Sequence, residues 1–322
     1  MRGYTERPNV ISGAALNNGG QTQFSKEFPM GEGWYAMWLR FRIAITIGTG
    51  TGVPVEGILL YIKNILLRTD RGEILCNLPG RALFKIAAYK TGTVPNMSTL
   101  AAASATYIVS LPIFFADDNL IRPEDTILDT KRYSSVSLNV TLGTIADLST
   151  TPGTATVATT MDAEILRSMG ALPKGGEPLW HINYDMRPPV DANSTINVDL
   201  ERSPDMSLKR LYVHSGTTGV AGVPWSGTNS DAVQNVVNIK DQNRFIEKDR
   251  FHPAILDQNK ADAGLEALLS GVEVFDFVRD GSSLSALATG DKSLLQYTWT
   301  NQGGLPALSI VTPTAEAQRT LK

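Results

Sequence analysis

The chain has 322 residues, 42% of them hydrophobic and 19% charged, with a formal net charge of −3. A chain of that length suits about two domains, each able to bury roughly 70% of the surface its unfolded form exposes, so neither needs a metal or a disulfide. A single cysteine, Cys76, excludes an intramolecular disulfide, the charge balance argues against a nucleic-acid-binding surface, and no apolar run reaches the roughly 18 residues of a membrane span.

Met1-Arg2-Gly3-Tyr4 leads into no signal-peptide core, so the expectation is synthesis and folding in a cytoplasm. Residues 1–20 are polar and end in Asn17-Asn18-Gly19-Gly20, which reads as an N-terminal arm with little core of its own. Its Arg2 and Arg7 are candidates to face an acidic surface such as a phospholipid headgroup or packaged nucleic acid. Phe24 to Phe28 open the first half. From Trp34 to Ile47 the alternation is complete on one face, with Tyr35, Met37, Leu39, Phe41, Ile43, Ile45 and Ile47 apolar. Period two means a long strand with one side in a core. The other face carries Arg40, Arg42 and Thr46 beside Trp34 and Trp38, and large aromatics pointing away from a core suggest a covered interface. The glycine run Gly48-Thr49-Gly50-Thr51-Gly52 leads into the extended Val53-Pro54-Val55, not a helix N-terminus, so it is a loop and not a phosphate cradle. Ile58 to Arg68 reads as a second strand, Glu73 to Leu78 as its return, and Leu83, Phe84, Ile86 and Ala87 as a short amphipathic helix. Tyr107 to Phe115, the clean alternation Val136, Leu138, Val140, Leu142, and Ala155 to Ile165 supply the remaining strands.

The second half repeats this layout. Gly52-Val53-Pro54 returns as Gly222-Val223-Pro224, 170 positions on, and Asn64-Ile65 and Asp70 return as Asn235-Val236 and Asp241, 171 on. Leu39-Arg40-Phe41 is echoed 170 positions later by Lys209-Arg210-Leu211. Solenoid units run only about 20 to 45 residues, so an offset this long implies two whole domains of one kind. Ile196, Val198 and Leu200 open the second half; Val233 to Lys240 and Arg244-Phe245-Ile246 match the strand and its return. Pro253 starts a helix with Ile255 and Leu256, whose apolar stripe continues through Leu265, Leu268 and Leu269 to Gly271. Val274 to Val278, Leu295 to Trp299 and Leu308 to Val311 complete it. The expected fold is all-β: two tandem eight-stranded antiparallel jelly rolls, each with a short helix. The expected divisions are an arm over 1–20, a first jelly roll over 21–171, a linker over 172–178, a second jelly roll over 179–313 and a C-terminal tail over 314–322.

Groups that carry chemistry are sparse. His181, His214 and His252 lie more than thirty residues apart, and none has a second histidine or a carboxylate at metal-ligand spacing, which a cupin-like centre would need. Cys76 sits in an apolar strand and reads as a buried, inert thiol. Asp117-Asp118, Asp276 and Asp280 follow strands, where aspartates bond turn amides; calcium is the alternative. No Gly-x-Ser-x-Gly elbow or Gly-x-x-x-x-Gly-Lys loop occurs. The expectation is no catalytic residue, no cofactor and no bound metal.

Phe28-Pro29-Met30-Gly31 leading into the strand Tyr35 to Arg42, and Ile62-Lys63-Asn64-Ile65 leading to Asp70 and the helix near Leu83, sit within this tandem layout. Together they resemble the double jelly-roll major capsid proteins, the lineage of adenovirus hexon and of phages with an internal membrane, in particular the small corticovirus or finnlakevirus type. The resemblance implies a structural coat protein of an icosahedral virion. Three chains would form a pseudo-hexagonal homotrimeric capsomer, and its partners would be neighbouring capsomers, penton or minor capsid proteins and an internal lipid membrane faced by the arm. Trp34 and Trp38 are the candidate subunit interface. Two other readings stay open: a two-domain carbohydrate-binding β-sandwich using Trp180, Trp225 and Trp299 as platforms, and a minor phage spike or vertex protein.

Overall fold

The computed structural model describes residues 5–24, 28–46, 56–93, 104–117, 126–148, 153–168, 178–183, 194–218, 225–282, 285–302 and 309–319. Arg2, Gly52-Val53-Pro54, Gly222-Val223-Pro224 and the expected linker as far as Glu177 lie outside them. The chain forms two compact units, Met1–Ala87 with Pro95–Asp118 and Arg122–Leu179, and Ala88–Val94 with Asn119–Ile121 and Trp180–Lys322.

The first unit contains, in chain order, β1 (Thr5–Glu6), β2 (Asn9–Ala15), β3 (Gln21–Phe24), β4 (Gly33–Thr46), α1 (Gly57–Tyr61), β5 (Ile62–Thr69), β6 (Ile74–Leu78) and α2 (Gly80–Thr91) as far as Ala87, the residues from Ala88 being grouped with the second unit. It continues with β7 (Ala105–Phe114), β8 (Leu128–Asp129), β9 (Val136–Leu142), α3 (Ile145–Leu148) and β10 (Thr156–Ser168). The second unit contains β11 (Leu179–Asn183), β12 (Thr195–Asp199), β13 (Met206–Thr217), β14 (Thr228–Asn229), β15 (Gln234–Asp241), β16 (Arg244–Phe251) and α4 (His252–Ala263). Its last strands are β17 (Val272–Asp276), β18 (Leu287–Ala288), β19 (Leu295–Asn301) and β20 (Ile310–Arg319).

The pairing pattern is the same in both. One sheet of the first unit runs β1-β10-β4-β7, with β2 also on β10, and the other runs β3-β9-β5-β6; the second unit has β11-β20-β13, with β17 on β13, and β12-β19-β15-β16. In each, the first of the eight main strands lies beside the last, the second beside the seventh, and the fourth and fifth form a simple hairpin. That is a long antiparallel hairpin rolled into two facing sheets, the jelly roll. The helix between the fifth and sixth strands occurs in both, as α2 and α4. The echoed triplets fall on equivalent strands, β4 and β13, and so do the Asn64 and Asn235 segments, on β5 and β15.

Each core lies between its two sheets. In the first unit Met37, Leu39, Phe41 and Ile43 of β4, Leu138 and Val140 of β9 and Ile65 and Leu67 of β5 are all fully buried. In the second, Leu211, Val213, Val237, Ile239, Tyr297, Trp299 and Val311 form one cluster. Strand β9 buries every second residue over its whole length, as its alternation requires.

Four expectations are corrected. The N-terminal stretch is not an arm throughout: β2 pairs with β10, for example Ala14 against Met161, and Ile11 and Leu16 are buried. The C-terminal stretch is not a tail: β20 runs to Arg319 against β13, with Ala315, Glu316 and Ala317 buried. Pro313 lies mid-strand opposite Val213, where a proline lacks the ladder N–H and argues against a strand in the sequence. The segment from Ile58 is not all strand, because α1 takes one helical turn before β5 begins at Ile62. Finally, α4 stops at Ala263, eight residues short of Gly271. Gly264 takes φ +64°, and the Leu265 amide donates to the Lys260 carbonyl, which closes the helix.

Candidate functional site

Of the four residues singled out for function, Arg2 lies outside the described residues; of the other three, the structure brings Arg7 and Trp38 together and sets Trp34 apart. Trp34 is completely buried. Its ring lies 6.0 Å from those of both Phe28 and Phe115, and its Nε1 donates to the Pro29 carbonyl at 3.0 Å. The cause is a bulge. Leu166 pairs with Ala36 while Arg167 pairs with Trp34, so Tyr35 is an extra residue and everything before it turns over. Trp34 is therefore a core residue and has no surface to present to a partner. Trp38 stays on the outer face, half-buried, edge-on to Phe114 at 6.2 Å. Arg7 does not project freely: its guanidinium pairs with Glu164 at 2.8 Å and lies 5.1 Å over the Trp38 ring. Arg167 reinforces this edge, reaching Glu6 and Glu32 at 2.7 Å each.

The described residues contain no group of three His, Cys, Asp or Glu side chains placed to hold a metal ion. Cys76 is buried, which pushes its thiol up to about 12. Asp276 accepts from Arg210, and the exposed Asp280 accepts from the Ser282 amide at 3.0 Å, so each bonds within the chain. Trp180, Trp225 and Trp299 are all buried, and none is a platform for a sugar.

What the sequence does not disclose is the polar interior of the second unit. Arg210, on β13, is wholly buried and joins two strands: Nη1 reaches Glu316 of β20 at 2.7 Å and Nε reaches Asp276 of β17 at 2.8 Å. Lys90, grouped with this unit, adds Nζ at 3.2 Å to Glu316, and the Tyr89 hydroxyl donates to Asp276 at 3.4 Å. Beside them opens a cleft of about 390 Å³ lined in part by Tyr89, Lys90, Arg210, Asp262, Asp276 and Arg279. Its charges are mutually paired, Arg279 with Asp262 at 3.2 Å, so the cleft carries little net field.

A second chain of polar groups crosses the core. Ser215 donates to Gln234 at 2.8 Å, Gln234 to the Tyr297 hydroxyl at 2.7 Å, and Tyr297 to Glu273 at 2.6 Å. His252, the first residue of α4, places Nδ1 2.5 Å from Glu273 and Nε2 3.3 Å from Asp231. Burial works against a charged imidazole, but the hydrogen bonds and charges of Asp231 and Glu273 outweigh it and hold His252 up at about 9. Burial also drives the Tyr297 hydroxyl well above its usual range, with Glu273 adding to the effect. His214 stacks on Trp225 at 4.8 Å and faces Asn229 at 3.1 Å. His214 and His252 are thus both engaged by other side chains of the second unit. The signal for these networks was a charge set inside an apolar strand, as in Val272-Glu273-Val274, but its partners come from distant segments.

No protein-family model and no curated protein matches the sequence. Solved structures do. The MCP of Sulfolobus Turreted Icosahedral Virus superposes with a TM-score of 0.74 at 15% identity, covering 99% of this chain and 97% of that one. The major capsid protein P2 from Bacteriophage PM2 gives 0.65 at 11% identity, covering 99% and 98%. The capsid chain of the PBCV-1 virus gives 0.64 at 12%, covering 99% and 96%.

The fold is the double jelly roll.

The double jelly roll accounts for nearly every residue of each chain compared, so the tandem arrangement is the whole architecture and not one module of a larger match. At these identities the likeness is one of fold, and the features that carry it are the strand orders and the paired helices α2 and α4.

Proposed function

We propose that this protein is the major coat subunit of an icosahedral virus. The observation that carries the reading is the end-to-end match of both jelly rolls to capsid-protein structures, in a chain whose Arg210 and His252 clusters join segments of one barrel. The work of such a subunit is mechanical. Three chains associate through barrel flanks into a capsomer with six barrels, and capsomers then pack side by side in the virion. Penton or minor capsid proteins at the vertices and a lipid membrane beneath the shell belong to the same proposal. Obligate interfaces of this kind bury more than about 2,000 Å² and are largely apolar. Trp38, half-buried beside Phe114 on the outer face of β4, is the candidate that remains from the two tryptophans. Sedimentation velocity at micromolar concentration tests the reading: a trimer is expected, and a protein that stays monomeric contradicts it. The carbohydrate-binding alternative loses its support with the burial of Trp180, Trp225 and Trp299.

A further inference from the structure

We propose that the second jelly roll carries a proton-held lock that the first lacks: His252, held as an imidazolium between Glu273 and Asp231, fastens the start of α4 to the barrel and releases it as pH rises. The argument is first one of geometry. Both ring nitrogens face carboxylate oxygens, at 2.5 and 3.3 Å. A neutral imidazole has one N–H and can satisfy one of them; only the imidazolium donates to both. Glu273 and His252 are fully buried, and Glu273 accepts a further bond from Tyr297. Loss of the proton therefore removes the only cation bonded to this carboxylate among the described residues and leaves Asp231 facing a nitrogen lone pair.

Among the described residues no other cation is bonded to Glu273. From β17 comes Glu273, from the segment before β15 comes Asp231, and from β19 and β15 come Tyr297 and Gln234. Arg250 of β16, the nearest arginine in sequence, is engaged by Glu247 at 2.8 Å and by Gln258. Asp231 keeps the Gly271 amide at 2.6 Å and Ser270 at 2.9 Å, and its side chain is 39% exposed, which gives the proton a route to solvent. The first unit has no equivalent, because all three histidines of the chain lie beyond residue 180. At the corresponding helix start it has Gly80.

The sign follows from the direction of the shift. A histidine held up at about 9 contributes stability that is complete below its unfolded value of 6.5 and is lost as pH climbs through 9. Hydrogen exchange of the full chain, corrected for the intrinsic rate at each pH, reads this directly. Between pH 6 and pH 9.5, protection of α4 and β17 amides is expected to fall on the order of a hundredfold relative to β4 and β9. D231N is expected to move the midpoint to lower pH, and H252Q to abolish the step; D231N alters only the partly exposed partner and tests the lock even where H252Q does not fold. Equal loss in both units, no loss in α4 and β17, or an unmoved midpoint in D231N overturns the proposal.

Discussion

Substituting Arg210 by methionine is expected to destabilise the second jelly roll by about 3–5 kcal/mol, the cost of leaving buried charge without its partner. Arg210 is the only group that bonds both Glu316 on β20 and Asp276 on β17 among the described residues, and neither Arg210 nor Glu316 has measurable exposure. Methionine fills much of the same volume, so the loss reports on the missing guanidinium, with Glu316 left to Lys90 and Asp276 to Tyr89, and not on a cavity. R210K is expected to fall between the two, because a single ammonium cannot reproduce a fork whose Nε and Nη1 serve different strands. Urea unfolding read through β13 and β20 amides measures both variants. A loss below about 1 kcal/mol for R210M would mean that the cluster is solvated and does not fasten these strands.

Substituting Trp34 by alanine is expected to cost about 3–5 kcal/mol in the first jelly roll, within the range for deleting a buried aromatic. The residue is sealed between Phe28 and Phe115, and its removal also leaves the Pro29 carbonyl without the indole donor. W38A is expected to cost about 1 kcal/mol in the separated chain, mostly the lost contact with Phe114 and the Arg7 guanidinium. The pair therefore tests the bulge at Tyr35 by urea unfolding of β4. Were Trp38 the more damaging deletion, the register of β4 against β10 would be wrong.

These two sites also mark what could be read from residue order. Local alternation located β9 to the residue, because Val136, Leu138, Val140 and Leu142 face one core and nothing interrupts the ladder. The repeated segments located β5 and β15, and β4 and β13, because a duplicated fold keeps its strand spacing where loops keep their length. Period-two reasoning failed at Trp34 for a stated cause: one extra residue inverts the faces, and no residue type announces a bulge there. It failed again at β20, whose core face carries Ala315 and Ala317 in place of large apolar groups and whose centre holds Pro313. The small residues of that strand share one core cluster with the large Trp299 and Tyr297 of the facing sheet. The buried networks were invisible for another reason. Arg210 meets Glu316 106 positions away, and Tyr297 meets Glu273 24 away, so their meaning depends on closure of the barrel and not on local spacing.

The proposed coat-subunit role requires the two like barrels to act in association with further copies of the chain. Negative-stain imaging of the purified protein tests this most directly. It predicts compact particles with six lobes, two from each of three chains. Isolated two-lobed particles at micromolar concentration, or rings of any other number, would contradict it.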